Sequence, residues 1–206
     1  MFSNCDGATI KNLTFKGIRV NSQSNPYQAI ITAKADNGCV FENITFENVH
    51  TFSDYDNVGA VAGWAHNCTF KDITVRNSDF TTDDCNSGAV VGFAEGCTFV
   101  NIKVENCEST AYDGHAGGVV GRFHIGSCNG VEILGCFIKT NYSFGGGVTG
   151  DSQTVNYYNC IVDDQSCVCV VGCLFDDAQA GGIVGRDNGG GFYNCINSAL
   201  IAADHS

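Results

Sequence analysis

The stretch Gly88-Ala89-Val90-Val91-Gly92 decides the fold, because its pattern of glycine, small residue, aliphatic residue, any residue and glycine returns at a fixed interval. The other copies occupy residues 59–63, 117–121, 146–150 and 181–185, and only the last of them follows after a longer interval. The regular interval of about 29 residues lies within the range that is typical of a solenoid, whose repeats become stable only by stacking on each other. The repeat therefore predicts a stack of similar coils.

Positions one period apart carry chemically similar residues. Phe70 precedes Phe99 by one period, and Ile73 precedes Ile102 by the same interval. Apolar residues mostly alternate with polar ones, which indicates strands with one buried face, and no segment has helical spacing. We predict an all-β fold, a parallel β-helix with coils of about 29 residues, and expect it to be right-handed because parallel crossover connections strongly favour that hand.

Two columns of the repeat predict the corners of the coil, because they contain almost exclusively glycine and asparagine. These residues adopt positive φ at the lowest cost, which favours a left-handed turn at each position. One column contains Gly17, Asn48, Asn77, Asn106, Gly135 and Gly172, and the other contains Asn12, Asn43, Asp72, Asn101 and Gly130.

The chain is predicted to form one domain over residues 1–206, with about six to seven coils. The first unit is slightly longer than the others, since Leu13 matches Ile44, and the period breaks after Gly150, where we expect a loop inserted near residues 157–167. The chain begins inside one coil and ends inside another, which favours a segment of a larger exported protein. No signal peptide or apolar run long enough to span a membrane occurs in this sequence.

Composition narrows the classes of partner. The formal net charge of -12 disfavours nucleic acid and anionic membranes, since both would be repelled at a distance. Most of the 13 cysteines fall in the repeat columns, which favours buried thiols over disulfides. Cys167, Cys169 and Cys173 have no paired C-x2-C partner, so their spacing does not favour a zinc site.

The chain resembles the GLUG repeat of bacterial surface and secreted proteins. The resemblance rests on the pentads at residues 117–121 and 181–185 and on Asn-Cys pairs such as Asn106-Cys107 and Asn194-Cys195. It covers most of the chain from Gly59 to Ile196, with departures such as alanine at the second pentad position of two copies. It implies a β-helical repeat region of an extracellular bacterial protein, an adhesin or stalk, with no catalytic residues to transfer.

Two adjacent columns directly after the pentads contain the candidate binding residues. The first contains Trp64, Phe93 and Arg122, which, if they point outward, form a stripe suited to stacking on sugar rings or anchoring a protein partner. Core packing is the alternative. The second contains His66, Glu95 and His124, whose side chains are of the types that bind transition metals or transfer protons, although an exposed polar face is the more common origin of such a row.

Acidic residues supply the remaining candidates. Asp84 and Asp113 share a register, which makes them weak candidates for calcium, although solvated turn acids are the simpler interpretation. With Asp163 and Asp164 they are also the acids on which a polysaccharide lyase or hydrolase could be built, provided that at least two line one groove beside a basic residue. We expect no metal site and no cofactor.

The regular repeat without a convergent polar pocket favours a non-enzymatic structural or binding module of a secreted or cell-surface protein. Its expected partner is a glycan or a host or cell-surface protein, with no insertion into a membrane. The alternatives are the polysaccharide lyase or hydrolase and a self-associating assembly unit, since incomplete end coils expose strand edges that favour end-to-end association.

Overall fold

The computed structural model describes residues 2–22, 27–171 and 178–203, and none of these residues is helical. The first half contains β1 (Phe2–Asp6), β2 (Thr9–Lys16), β3 (Arg19–Ser22), β4 (Thr32–Asp36), β5 (Val40–Glu47), β6 (His50–Ser53), β7 (Ala62–His66), β8 (Thr69–Arg76), β9 (Asp79–Thr82), β10 (Ser87–Gly88), β11 (Val91–Glu105) and β12 (Glu108–Ala111). The second half contains β13 (Ala116–Gly117), β14 (Val120–Leu134), β15 (Phe137–Thr140), β16 (Phe144–Gly146), β17 (Thr149–Tyr158), β18 (Ile161–Val162), β19 (Cys167–Val170), β20 (Gln179–Gly181), β21 (Val184–Asn188), β22 (Gly191–Tyr193), β23 (Ile196–Asn197) and β24 (Leu200–Ala203).

The described strands form three sheets in which each strand pairs in parallel with its equivalent in the next coil. The long sheet has 13 strands and contains the path β1-β4-β7-β11-β14-β17-β21. The second sheet has seven strands, from β3 to β24, and the short sheet contains β10, β13, β16 and β20. The structure is thus a β-solenoid with about seven coils of about 29 residues, which confirms the predicted fold class.

The core consists of like side chains stacked along the solenoid axis. Phe41, Phe70 and Phe99 are fully buried, with ring centroids 5.2 and 4.7 Å apart along the stack. Phe123 contacts Phe99 edge to face at 5.3 Å and continues the stack into the next coil. Each buried side chain of this size stabilises the fold by about 2 kcal/mol through loss of water contact, so the stack is a continuous source of stability.

Both predicted corner columns adopt the left-handed conformation wherever the structure describes them. The φ angles lie between 51 and 68° at these positions, and Gly172 lies outside the described residues. A third column of corners escaped the sequence analysis because it includes β-branched residues. It contains Asn67, Gly96, Ile125, Thr154 and Gly189, with φ between 53 and 82°.

The corners explain why cysteine so often follows asparagine or glycine. At five corners the buried thiol donates a hydrogen bond to the carbonyl oxygen two residues earlier, which precedes the left-handed residue; these are the thiols of Cys68, Cys97, Cys107, Cys136 and Cys160. The thiol of Cys68 reaches the carbonyl oxygen of His66 at 3.2 Å, and that of Cys107 reaches Glu105 at 3.2 Å. The cysteine fills the core and adds a second hydrogen bond to a carbonyl group that already pairs with the neighbouring coil, as that of Glu105 does with the Asn77 amide at 3.0 Å. The 12 cysteines in the described ranges are free thiols, and eight of them are buried.

The pentad glycines are required because the backbone of another strand approaches them closely. A Cβ atom on Gly117 would lie 2.1 Å from the carbonyl oxygen of Val120, and one on Gly92 would lie 2.6 Å from the amide nitrogen of Val58. No side chain fits within such distances. The pentad therefore marks the tight passage from the short sheet into the long sheet.

The region near residues 157–167, where an insertion was expected, contains one residue more than the regular period, and the larger change in spacing lies later. Ile133 pairs with Val162 at the regular spacing, whereas the partner of Phe137 is Cys167, a single residue beyond the regular position. The turn at Asp163–Gln165 accommodates this extra residue. The spacing then increases further between Phe144 and its partner Gln179, a change that falls mostly on residues outside the described ranges.

Replacing Gly117 with alanine tests the close approach of the backbone. We expect Gly117→Ala to lower the free energy of unfolding by about 3 kcal/mol, because the added methyl group displaces the Val120 carbonyl group. Gly38 has φ of 82° and no atom within 4 Å of a built Cβ, so Gly38→Ala should cost only about 1 kcal/mol of backbone strain. Urea unfolding measures both changes, and equal losses would contradict the steric explanation.

Candidate functional site

The outward side of the long sheet carries a row of large side chains that runs along the solenoid axis. Each member pairs in register with the next, so neighbours lie about 4.8 Å apart at their Cα atoms. Its aromatic members and Arg122 are half-buried, whereas the alternate residues on the same strands, such as Ala65 and Phe123, are fully buried. We call this set the axial row; it consists of Lys34, Trp64, Phe93, Arg122, Asp151 and Arg186.

The predicted column of His66, Glu95 and His124 lies beside the axial row and is also in register. Its imidazoles are engaged by separate partners. Nδ1 of His66 lies 2.8 Å from a carboxylate oxygen of Asp36 and holds the pKa of that carboxyl below its usual range, while Nε2 of His124 accepts a hydrogen bond from Nε of Arg122 at 3.1 Å. Among the residues that the structure describes, no cluster of three or more His, Cys, Asp and Glu could hold a metal ion. The column thus borders the axial row and orients Arg122.

Asp151 is the centre of the charged end of the axial row. It is only 3% exposed, and Arg186 binds its carboxylate in a bidentate arrangement, with N–O distances of 2.8 and 3.0 Å. Nε of Arg122 lies 3.2 Å from the same carboxylate on the other side. A buried carboxylate is costly unless it is paired, and two guanidinium groups supply the pairing. Their shared carboxylate fixes both arginines in place.

His115 and Phe144 form a wall beside this charged end. The rings of His115 and Phe144 stack at 5.0 Å, and the guanidinium carbon of Arg186 lies 4.0 Å from the centre of the Phe144 ring. Burial of His115 lowers its pKa to about 4, against the opposing effect of the Asp151 carboxylate. The histidine is therefore neutral at physiological pH, and the cluster of Arg122, Arg186 and Asp151 has a local charge of one positive unit.

Ser143, His115 and Asp151 have the residue types of a nucleophilic relay. The Ser143 hydroxyl lies 2.5 Å from Nδ1 of His115, and Nε2 of that ring lies 3.7 Å from Asp151, which exceeds hydrogen-bonding distance. The electrostatics also differ from those of an active relay, because two arginines already neutralise the carboxylate and the pKa of about 4 makes His115 a weak base near pH 7. These groups serve better to position Arg186 than to activate Ser143.

The acids considered for calcium or for sugar cleavage lie in two separate places. Asp84 and Asp113 are exposed in the loops that follow the second sheet, whereas Asp163 lies at the corner that precedes it. The Asp163 carboxylate accepts hydrogen bonds from the Gly135 amide at 3.0 Å and from the Ser166 hydroxyl at 2.6 Å, so it stabilises a turn. Asp163 therefore lies apart from Asp84 and Asp113.

The end strands have partners on one side only within the described chain. β2 pairs with β5 alone, and β24 pairs with β19 alone. Several apolar side chains are exposed at these ends, including Phe2 and Leu13 at one end and Phe192, Ile196 and Leu200 at the other. Either further coils or another chain would fit these edges. No helix long and apolar enough to cross a membrane occurs among the described residues.

Sequence reasoning found Trp64, Phe93 and Arg122 but missed the groups that complete the site. Arg186 follows its partner Asp151 after the longer interval, so a search at the regular period does not align it with the axial row. His115 and Phe144 precede the pentads and lie in a different column, and their proximity depends on how the short sheet folds against the long one. The adjacency of Arg122 and Asp151 in neighbouring coils was the available signal.

Comparisons with known proteins support the fold and leave the family open. No protein-family model matches the chain, and no curated protein matches it either. A crystal structure described as a "putative immunoglobulin A1 protease from Bacteroides ovatus" is similar, with a TM-score of 0.52 and 16% sequence identity over 98% of this chain and 68% of that one. This likeness shows a shared β-solenoid fold. It does not show membership of the GLUG family.

The buried neutral state of His115 predicts a loss of stability in acid. The folded pKa of His115 is about 4, below its ordinary value of 6.5. Between pH 4 and 6.5, His115 is therefore protonated in the unfolded chain but not in the folded chain. Stability should therefore fall by about 3 kcal/mol as pH decreases from 6.5 to 4. Urea unfolding across this range should show a weaker pH dependence for His115→Gln than for His50→Gln, a control on the second sheet. Identical profiles would contradict the assignment.

Proposed function

We propose that this chain is a non-enzymatic binding module of the GLUG type, part of a secreted or cell-surface bacterial protein, and that it binds a glycan along the axial row. The observation that carries the proposal is the alignment of Trp64, Phe93 and Arg122 in one half-exposed row on a rigid sheet. Aromatic faces and arginine forks at regular intervals suit a ligand that is itself a repeating chain.

The rigidity of the scaffold supports recognition on a sheet face. The residues beneath the row, Ala65, Ala94 and Phe123, are fully buried and fix the strands from below. The aromatic side chains also contact the neighbouring column, since the Trp64 ring stacks on His66 at 5.8 Å and the Phe93 ring meets His124 edge to face at 5.3 Å. These contacts limit the rotamers of the row before a ligand arrives, which lowers the entropic cost of binding.

The charge distribution supports a sugar ligand over a nucleic acid. The formal net charge of -12 repels polyanions, whereas the uncharged faces of sugar rings experience no such repulsion. The Gly-Gly and Asn-Cys motifs support a secreted or cell-surface location. A flat protein surface could occupy the same row, and the experiment below distinguishes it from a glycan.

Replacing the aromatic side chains tests the proposed binding surface. On an array of bacterial and host glycans, the protein should bind a subset, and Trp64→Ala and Phe93→Ala should each weaken binding about tenfold through loss of stacking area. Tyr55→Ala is the matched control, since Tyr55 is an aromatic residue that is 64% exposed and lies away from the row. It should leave binding unchanged.

Two outcomes would contradict this function. One is the absence of binding to any glycan, in particular if the row instead captures a cell-surface protein in a crosslinking experiment. The other is an activated serine nucleophile, which a fluorophosphonate reagent would reveal by labelling Ser143 in the wild-type protein but not in Ser143→Ala. We expect no labelling, because the pKa of about 4 makes His115 a weak base.

A further inference from the structure

The charged end of the axial row has unused donors for hydrogen bonds. Arg122 uses its Nε for Asp151 and His124, and Arg186 uses Nε and one terminal nitrogen for Asp151. Both terminal nitrogens of Arg122 and one of Arg186 have no protein partner within the described ranges. The two side chains remain 40% and 44% exposed, so these donors face solvent.

The arrangement concentrates positive charge in an acidic protein. Two arginines share one buried carboxylate, which leaves a net positive unit at a place where His115 is neutral. In the neighbouring column the nearest carboxylate belongs to Glu95, one coil before His124, while the carboxylate of Asp187, which follows Arg186 in the chain, accepts a hydrogen bond from the buried Ser152 on the opposite side of the strand. A negatively charged group would therefore be attracted at the Arg186 end and repelled towards Glu95, which gives the site a direction along the axis.

The charged end of the axial row is also preorganised for binding. Bidentate pairing to Asp151 and the stack on Phe144 hold the Arg186 guanidinium on both sides, and the hydrogen bond to His124 holds Arg122. A fixed guanidinium fork is well suited to the two oxygens of a carboxylate or sulfate group, and little side-chain entropy remains to be lost. The Phe93 ring lies directly beside Arg122 in register, with the guanidinium carbon 5.9 Å from its centre.

We propose that Arg122 and Arg186 bind the oxyanion of an acidic sugar unit, a uronate carboxylate or a sulfate ester, while the adjacent sugar ring stacks on Phe93. This inference rests on the proposed function and specifies its ligand class. Asp151 is a positioning residue, since it touches the arginines and not the ligand. The acidic unit of the ligand lies towards β21 and the neutral part towards β7, along the row.

Calorimetric titration with defined oligosaccharides tests the ligand class. The probes are a neutral oligosaccharide with a single terminal uronate, its methyl ester as the neutral equivalent, and the same oligosaccharide with one sulfate ester in place of the uronate. The acidic probes should bind about tenfold more tightly than the ester, and this preference should weaken as salt increases. Preference for carboxylate or for sulfate identifies the oxyanion, and either result supports the proposal.

Charge-matched variants locate the contact. Arg122→Gln keeps the bidentate pair of Arg186 with Asp151, so the buried carboxylate remains compensated and the fold should persist. It should remove about tenfold of the affinity for the acidic probe and clearly less of the affinity for the ester, which has no oxyanion to lose its partner. Lys103→Gln removes one positive charge from a side chain that is likewise 40% exposed but lies outside the row, and it should change affinity less than about twofold.

The possible failures are distinct. Equal affinity for the acidic probe and the ester, or equal losses in Arg122→Gln and Lys103→Gln, would overturn the acidic ligand while leaving glycan binding intact. Binding of no oligosaccharide, neutral or acidic, would overturn the proposed function and this inference together. Circular dichroism of each variant establishes that a loss of affinity does not reflect unfolding.

Discussion

The in-register pairing of each coil with the next determines the rest of this structure. Parallel strands place each residue beside its equivalent one coil away, so hydrogen bonds of the backbone and contacts of the side chains impose the same period. A single coil buries almost none of its apolar surface by itself, and stability arises at the interfaces between coils. The same pairing that stacks Phe70 on Phe99 in the core aligns Trp64 with Phe93 on the surface.

The closed path of each coil imposes a second constraint, which the corners and the pentad satisfy. The left-handed corners turn the chain without interrupting the ladder, and β11 continues through two of them, at Gly96 and Asn101. At one of these corners the Glu95 carbonyl accepts a hydrogen bond from the Asn67 amide at 2.8 Å and a second from the Cys97 thiol at 3.3 Å. The pentad glycines then allow the short sheet to close against the long one, which brings His115 and Phe144 to the charged end of the axial row.

The sequence predicted those features that repeat and failed on those that do not. Equal spacing was enough to identify the coil, two corner columns and the column of Trp64, Phe93 and Arg122. Pairing in register places residues that are one period apart in the sequence side by side in the structure. The third corner column was missed because Ile125 and Thr154 are poor residues for positive φ, and the surrounding ladder imposes that conformation on them. Arg186 was missed because an insertion lengthens the interval between Asp151 and its partner. His115 was missed because it contacts Asp151 from a different column of the repeat, and spacing at the regular period does not predict such a contact.

The charged end of the axial row differs from the core columns because its neighbouring side chains have opposite charges. Along the axial row, Arg122, Asp151 and Arg186 alternate in sign, so electrostatic pairing follows the aromatic residues Trp64 and Phe93 of the two preceding coils. Burial of Asp151 makes this arrangement dependent on its bidentate pairing with Arg186, since an unpaired carboxylate in that position would destabilise the coil. A structural requirement thus presents two oriented guanidinium groups to solvent, which is the arrangement on which the proposed recognition of acidic sugars depends.

Deletion of one complete coil tests the central claim of stacking in register most directly. Removing residues 88–116 joins Ser87 to Gly117, which is the equivalent of Gly88 in the next coil, so the remaining coils keep their pairing. We predict that this variant keeps a β-type circular dichroism spectrum and a cooperative thermal transition at a lower Tm. Removing only residues 88–101, about half a coil, should abolish folding. A half-coil deletion that folds as well as the full-coil deletion would contradict the account.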